Sequence, residues 1–175
     1  MFIFGHLGIG LTLAKPWFRG LSRRLVLVGT LLPDILDKPL YYALVWATGK
    51  RGVELGLISG TRTFGHTAIF ILILGALTLF SKSRVLGALT LGTATHLLLD
   101  AVSDSLTIMP EDGYVSALLW PFTGYAFPVQ PAPTLEAHLL HFATPFFCGA
   151  ESLGFVLLAW DFWIRRFKRS VSVIR

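Results

Sequence analysis

The strongest constraint on this chain is a set of acidic and imidazole side chains lodged inside apolar runs long enough to enter a bilayer. His6 stands in FIFGHLGIG, Asp34 and Asp37 in LLPDILDKP, His66 in TRTFGHT, and His96, Asp100 and Asp104 in THLLLDAVSD. An ionisable group at the centre of a bilayer costs ~2.5 kcal/mol or more. Such groups persist where they face a bundle interior or a wet cavity, and they mark function by default. Only 14% of the 175 residues are charged, whereas 54% are hydrophobic. Soluble domains carry ~25% charged residues. The composition therefore excludes a disordered chain and an ordinary soluble globule, which could not hide this much apolar surface in one core. It leaves a single membrane-embedded domain spanning residues 1–175.

Five apolar segments are expected to be helices, because an open sheet does not survive in lipid. They run over roughly Phe2–Ala14, Leu25–Thr48, Phe64–Phe80, Val85–Val102 and Phe142–Ile164. The first is short enough to be re-entrant, since a full crossing takes ~20 residues. Pro110–Pro133 reads as an outer loop rich in proline and aromatic residues, too broken for one helix. The expected fold is thus all-α, an integral membrane bundle of about five helices. The start MFIFGHLGIG has no basic flank, so no cleavable leader is expected. The single cysteine, Cys148, excludes an intrachain disulfide and a thiolate cluster.

The net charge of +5 is read as orientation rather than nucleic-acid binding. If all five segments cross, Lys15, Arg19, Arg23, Arg24, Lys82, Arg84, Arg165, Arg166, Lys168, Arg169 and Arg175 share one side, against Lys50, Arg51 and Arg62 on the other. That asymmetry predicts a multi-pass protein of the cytoplasmic (inner) membrane, with its C-terminus inside. His6, Asp37, His66, His96 and Asp100 then fall at one level below the outer surface.

Spacing sharpens the chemistry. His96 and Asp100 are i,i+4 and share a helical face, as do Asp34 and Asp37 at i,i+3. Imidazole nitrogens and carboxylate oxygens suit Zn²⁺ or a similar divalent ion, and such ions can clamp a phosphate and activate water. Arg62 is placed to hold a phosphoryl oxygen. Asp104, four residues beyond Asp100, continues the same face. His138 and His141 in EAHLLH are further candidates, and Asp161 with Arg165 reads as a surface pair. The rival reading is a proton- or ion-coupled transporter using the same cluster. The apolar stretches ILILGALTLF and VLGALTLG favour a one-sided site instead.

These motifs resemble the YdjM-like, LexA-regulated, membrane-bound metal-dependent hydrolases. The matching pieces are FGHLGIG around His6, GTLLPDILD, TRTFGHT, GTATHLLLDAVSD and LLWPF, in the family's order over about Phe4–Phe122. The family is distantly similar to the zinc-dependent phospholipase C and single-strand nuclease superfamily. The resemblance implies phosphoester hydrolysis with one to three ions. A membrane-embedded site meets lipid head groups directly, so a lipid or lipid-linked substrate is expected rather than nucleic acid. The resemblance also implies His6, Asp34, Asp37, His66, His96 and Asp100 as metal ligands, Asp34 or Asp37 as general base if not a ligand, and Arg62 on the phosphate. The family's His-Arg-Gly reads Thr61-Arg62-Thr63 here, which implies fewer ions.

Overall fold

Apolar helices wrap around one central helix in the computed structural model, which describes residues 3–18, 20–107, 114–129, 136, 140 and 143–173. No strand occurs among them. A π-helical stretch, Gly5–Gly10, runs into the short helix α1, Leu11–Ala14, and a 3₁₀ turn, Lys15–Trp17. Then follow α2 (Arg23–Gly29), α3 (Leu32–Thr48), α4 (Ala68–Ser81), α5 (Arg84–Thr107), α6 (Tyr114–Leu118) and α7 (Pro145–Val173). Helix α5 touches the N-terminal stretch, α2, α3, α4 and α6.

Local chemistry explains three departures from the expected segments. The second segment is two helices, α2 and α3, broken at Thr30–Leu31. Pro33, in the first turn of α3, has no N–H to give to the Gly29 carbonyl. The Thr93 hydroxyl of α5 donates to that carbonyl instead, at 3.3 Å. The third segment starts as a 3₁₀ turn, Phe64–His66, followed by an extended Thr67. The Thr67 hydroxyl accepts the Phe70 N–H at 3.0 Å and caps α4. His66 therefore lies on the turn before the helix. Within Pro110–Pro133, the short α6 forms beside α5.

Among the described residues, two helices are long and apolar enough to cross a membrane, over Arg84–Leu106 and Pro145–Lys168. Helix α4 is apolar but shorter.

Bare backbone allows two close crossings. A Cβ on Gly92 would overlap the Val26 carbonyl and the Thr30 N–H group, so α5 meets α2 with no side chain between them. The π-helical stretch lies equally close to α7, where a Cβ on Gly8 would overlap the Gly154 carbonyl. Small residues at helix crossings are a general device in membranes, where packing must replace the hydrophobic effect. The Glu151 carboxylate of α7 accepts the Phe4 and Gly5 N–H groups at 2.9 and 3.0 Å. It satisfies donors that a helix start leaves open. Leu11, Ala14, Val26 and Ala88 fill the core between the N-terminal stretch, α2 and α5.

Candidate metal centre

Four segments converge on the buried face of α5. His96 is fully buried, and its Nδ1 lies 2.7 Å from the Thr30 carbonyl at the break between α2 and α3. A carbonyl only accepts, so Nδ1 carries the proton, and Nε2 of the neutral ring presents a lone pair. On the 3₁₀ turn, His66 Nδ1 lies 2.7 Å from Asp37 Oδ2. With that proton given to the carboxylate, the neutral His66 ring also turns a bare Nε2 inward. The two Nε2 atoms are 3.3 Å apart.

Carboxylate oxygens complete the group. Asp34 Oδ1 is 3.4 Å from His66 Nε2 and 3.9 Å from His96 Nε2. Asp100 Oδ2 is 3.4 Å from His96 Nε2 and 3.7 Å from His66 Nε2. Lone pairs gathered this closely repel unless a cation or proton sits among them. Bonds of ~2.0–2.1 Å to nitrogen and oxygen in a tetrahedral site separate neighbouring ligand atoms by ~3.3–3.4 Å. The donors therefore suit a divalent ion in chemistry, and the closest of these distances match its spacing. Asp34, His66 and His96 form one group able to hold a metal, and His6, His96 and Asp100 form another.

His6 adds independent support. It is 1% exposed, and neither ring nitrogen makes a hydrogen bond among the described residues. Its ring stacks on His96 with centroids 3.8 Å apart, and Nε2 lies 3.3 Å from Asp100 Oδ1. Buried ring nitrogens that make no hydrogen bond call for an explanation such as an ion.

The remaining charged side chains surround these atoms. Asp37 stands behind the His66 ring. Its Oδ2 also accepts the Thr63 N–H at 2.8 Å, and its Oδ1 accepts the Gly65 N–H at 3.0 Å. It thus orients His66 from the far side and does not face the donor set. Lys38 Nζ holds the other oxygen of Asp34 at 2.6 Å. Arg62 reaches Asp100 Oδ2 at 3.3 Å and also pairs with Asp104. Asp34, Asp37, Asp100 and Asp104 outnumber Arg62 and Lys38, so these side chains leave an excess of negative charge.

A small cleft of about 20 Å³ opens beside the centre. Arg62, His66, Asp100 and Asp104 form its ionic wall, and Leu97, Ala101, Ala117 and Leu118 form its apolar wall. His6, Asp34, Asp37, Arg62, His66, His96, Asp100 and Asp104 thus come together, whereas His138 and His141 lie outside the described residues. Asp161 is not the surface pair expected from its spacing. It is buried among Lys15, Arg23 and Arg165. The Thr30 carbonyl and the Lys38 ammonium were not singled out as part of the site. Pro33 was the available signal for the first, since it frees backbone beside the cluster.

The orienting role of Asp37 is testable. Removing such an outer carboxylate typically weakens metal binding ~10–100-fold. Asp37→Asn is expected to weaken Zn²⁺ binding by about that factor, measured against a competing chelator. An unchanged dissociation constant would show that His66 needs no such partner.

Membrane-length apolar helices packed around a buried His/Asp centre define a helical membrane protein able to hold a metal ion. The chain belongs to the YdjM inner membrane protein family, whose profile matches residues 1–167. No curated protein and no solved structure matches it.

Proposed function

We propose that this protein is a membrane-embedded, metal-dependent hydrolase of phosphoesters, acting on a lipid or lipid-linked phosphate. The reading rests above all on four lone-pair donors from Asp34, His66, His96 and Asp100 beside a cleft with one ionic and one apolar wall. That pairing suits a substrate with a charged head and an apolar tail. We also propose a bundle of about five membrane-embedded segments, with the C-terminus cytoplasmic and the cleft facing outward. The lysine and arginine asymmetry supports this orientation.

Asp34, His66, His96 and Asp100 would hold the ion, most simply one Zn²⁺, with His6 beside it. When bound, the ion supplies Lewis acidity and acidifies water for attack on phosphorus. Asp37 holds the His66 tautomer, and the Thr30 carbonyl holds that of His96. Arg62 offers its guanidinium to the phosphoryl oxygens, where negative charge builds up. Asp34 and Asp100 face the ion and Asp37 is engaged behind His66. Asp104 is therefore the carboxylate left on the cleft wall to take a proton from the attacking water and return it to the leaving alcohol. The apolar wall of Leu97, Ala101, Ala117 and Leu118 takes the first carbons of the lipid.

Purified protein is expected to release phosphate or a phosphorylated head group from lipid phosphates or phospholipids. Arg62→Gln should lower kcat by ~10²–10³-fold, the usual cost of removing one charge-stabilising donor, while retaining its metal. Metal-loaded wild-type protein that turns over none of these lipids would refute the hydrolase reading. Proton flux in liposomes that disappears in Asp34→Asn would favour transport instead.

A further inference from the structure

A second ionic cluster lies away from the His/Asp centre. From His6 to Lys15 the N-terminal segment advances nine residues, ~13 Å at 1.5 Å per residue. There, Lys15 on the 3₁₀ turn, Arg23 at the start of α2 and Arg165 on α7 all converge on Asp161. Lys15 Nζ is 3.1 Å from Oδ1, while Arg23 Nη2 and Arg165 Nε are 2.7 and 2.9 Å from Oδ2. Three cations share one buried carboxylate, which leaves a surplus of two positive charges where these segments meet. Arg23 Nε is buried and makes no hydrogen bond among the described residues. Lys15 and Arg165 still reach the surface, with side chains 41% and 48% exposed.

The depth of the cluster indicates the partner. On the opposite, outward face of α7 at the same level, Trp160 and Trp163 are each 57% exposed, with ring centroids 5.4 Å apart. Phe167 continues the ladder, 6.0 Å from Trp163. Exposed tryptophans at one end of a long apolar helix sit at the head-group level of a bilayer. A free anion would meet only the cations. A phospholipid at that level would meet the cations through its phosphate while its acyl chains stay in the bilayer beside the helices. Basic pockets between helices on the cytoplasmic side suit anionic head groups, and Arg–phosphate contacts are charge-assisted and directional.

We propose that Lys15, Arg23 and Arg165 form a binding site for the phosphate of an anionic phospholipid, with Asp161 gathering the three cations. A zwitterionic lipid carries no net charge to match the surplus. This site is independent of the hydrolase reading and survives its failure.

The test uses the full chain in nanodiscs of phosphatidylcholine with or without phosphatidylglycerol, with retained lipid counted by native mass spectrometry. Phosphatidylglycerol should be retained in preference to phosphatidylcholine. The double variant Lys15→Gln/Arg165→Gln changes exposed side chains and leaves Arg23 on Asp161, so it should still fold. It should bind phosphatidylglycerol ~30-fold more weakly, about fivefold for each cation removed. Equal retention of the two lipids, or equal binding by the double variant, would overturn the proposal. Inorganic phosphate binding as tightly as the lipid would overturn the lipid assignment.

Discussion

His96→Ala is expected to strip the bound divalent ion, from about one per chain to none, as measured by mass-spectrometric metal analysis. His96 is the hub of the centre. Its Nε2 lies 3.3 Å from His66 Nε2, 3.4 Å from Asp100 Oδ2 and 3.9 Å from Asp34 Oδ1, and it belongs to both potential metal groups. Removing an outer partner alone weakens binding ~10–100-fold, so losing the ligand itself should cost at least ~100-fold. The ion also stabilises the folded state, by ~2.7 kcal/mol at a hundred times its dissociation constant. Zn²⁺ should therefore raise the Tm of the wild type and leave that of His96→Ala nearly unchanged. A variant that keeps stoichiometric metal would show that the ion is held elsewhere.

Gly92→Val should damage fold and site together. The Cβ would strike the Val26 carbonyl and the Thr30 N–H, which are backbone atoms of α2 and its C-terminal cap and cannot rotate away. Overpacking a tight contact costs ~1–3 kcal/mol and occasionally more, and here relief requires α2 to move off α5. That movement would also pull the Thr30 carbonyl from His96 Nδ1 and the Gly29 carbonyl from the Thr93 hydroxyl. The expected result is a lower Tm in detergent together with weaker metal binding. Wild-type values for both would mean that the helices have room at this crossing. A lower Tm with unchanged metal affinity would mean that the crossing does not position His96.

The sequence exposed those parts of the centre that lie on one helix. His96 and Asp100, four residues apart, announce a shared face of α5, and the buried ionisable pattern pointed to His6, Asp34 and His66 as their partners. The role of Asp37 was hidden. Its i,i+3 spacing with Asp34 suggests two equivalent ligands, but the backbone turn at Thr63–Gly65 folds back to occupy its oxygens. Only tertiary contact decides that. Asp161 was misjudged for a related reason. Its i,i+4 partner Arg165 is real, yet Lys15 and Arg23 arrive from more than 130 residues earlier. The break between α2 and α3 follows from Pro33, but where the freed Gly29 carbonyl finds a donor depends on the register of α5.

The clasp of Glu151 on the Phe4 and Gly5 N–H groups, with Gly8 seated on Gly154, sets an order of biogenesis. The ribosome delivers His6 well before the helix that fastens it in place, more than 130 residues later. Asp34, His66, His96 and Asp100 can gather while the chain is still being made. The N-terminal segment must wait beside them until α7 is inserted. A nascent chain arrested before Glu151 would therefore carry four of the five inward-facing groups, with the fifth unanchored. Maturation of the centre in this sense waits on the insertion of α7.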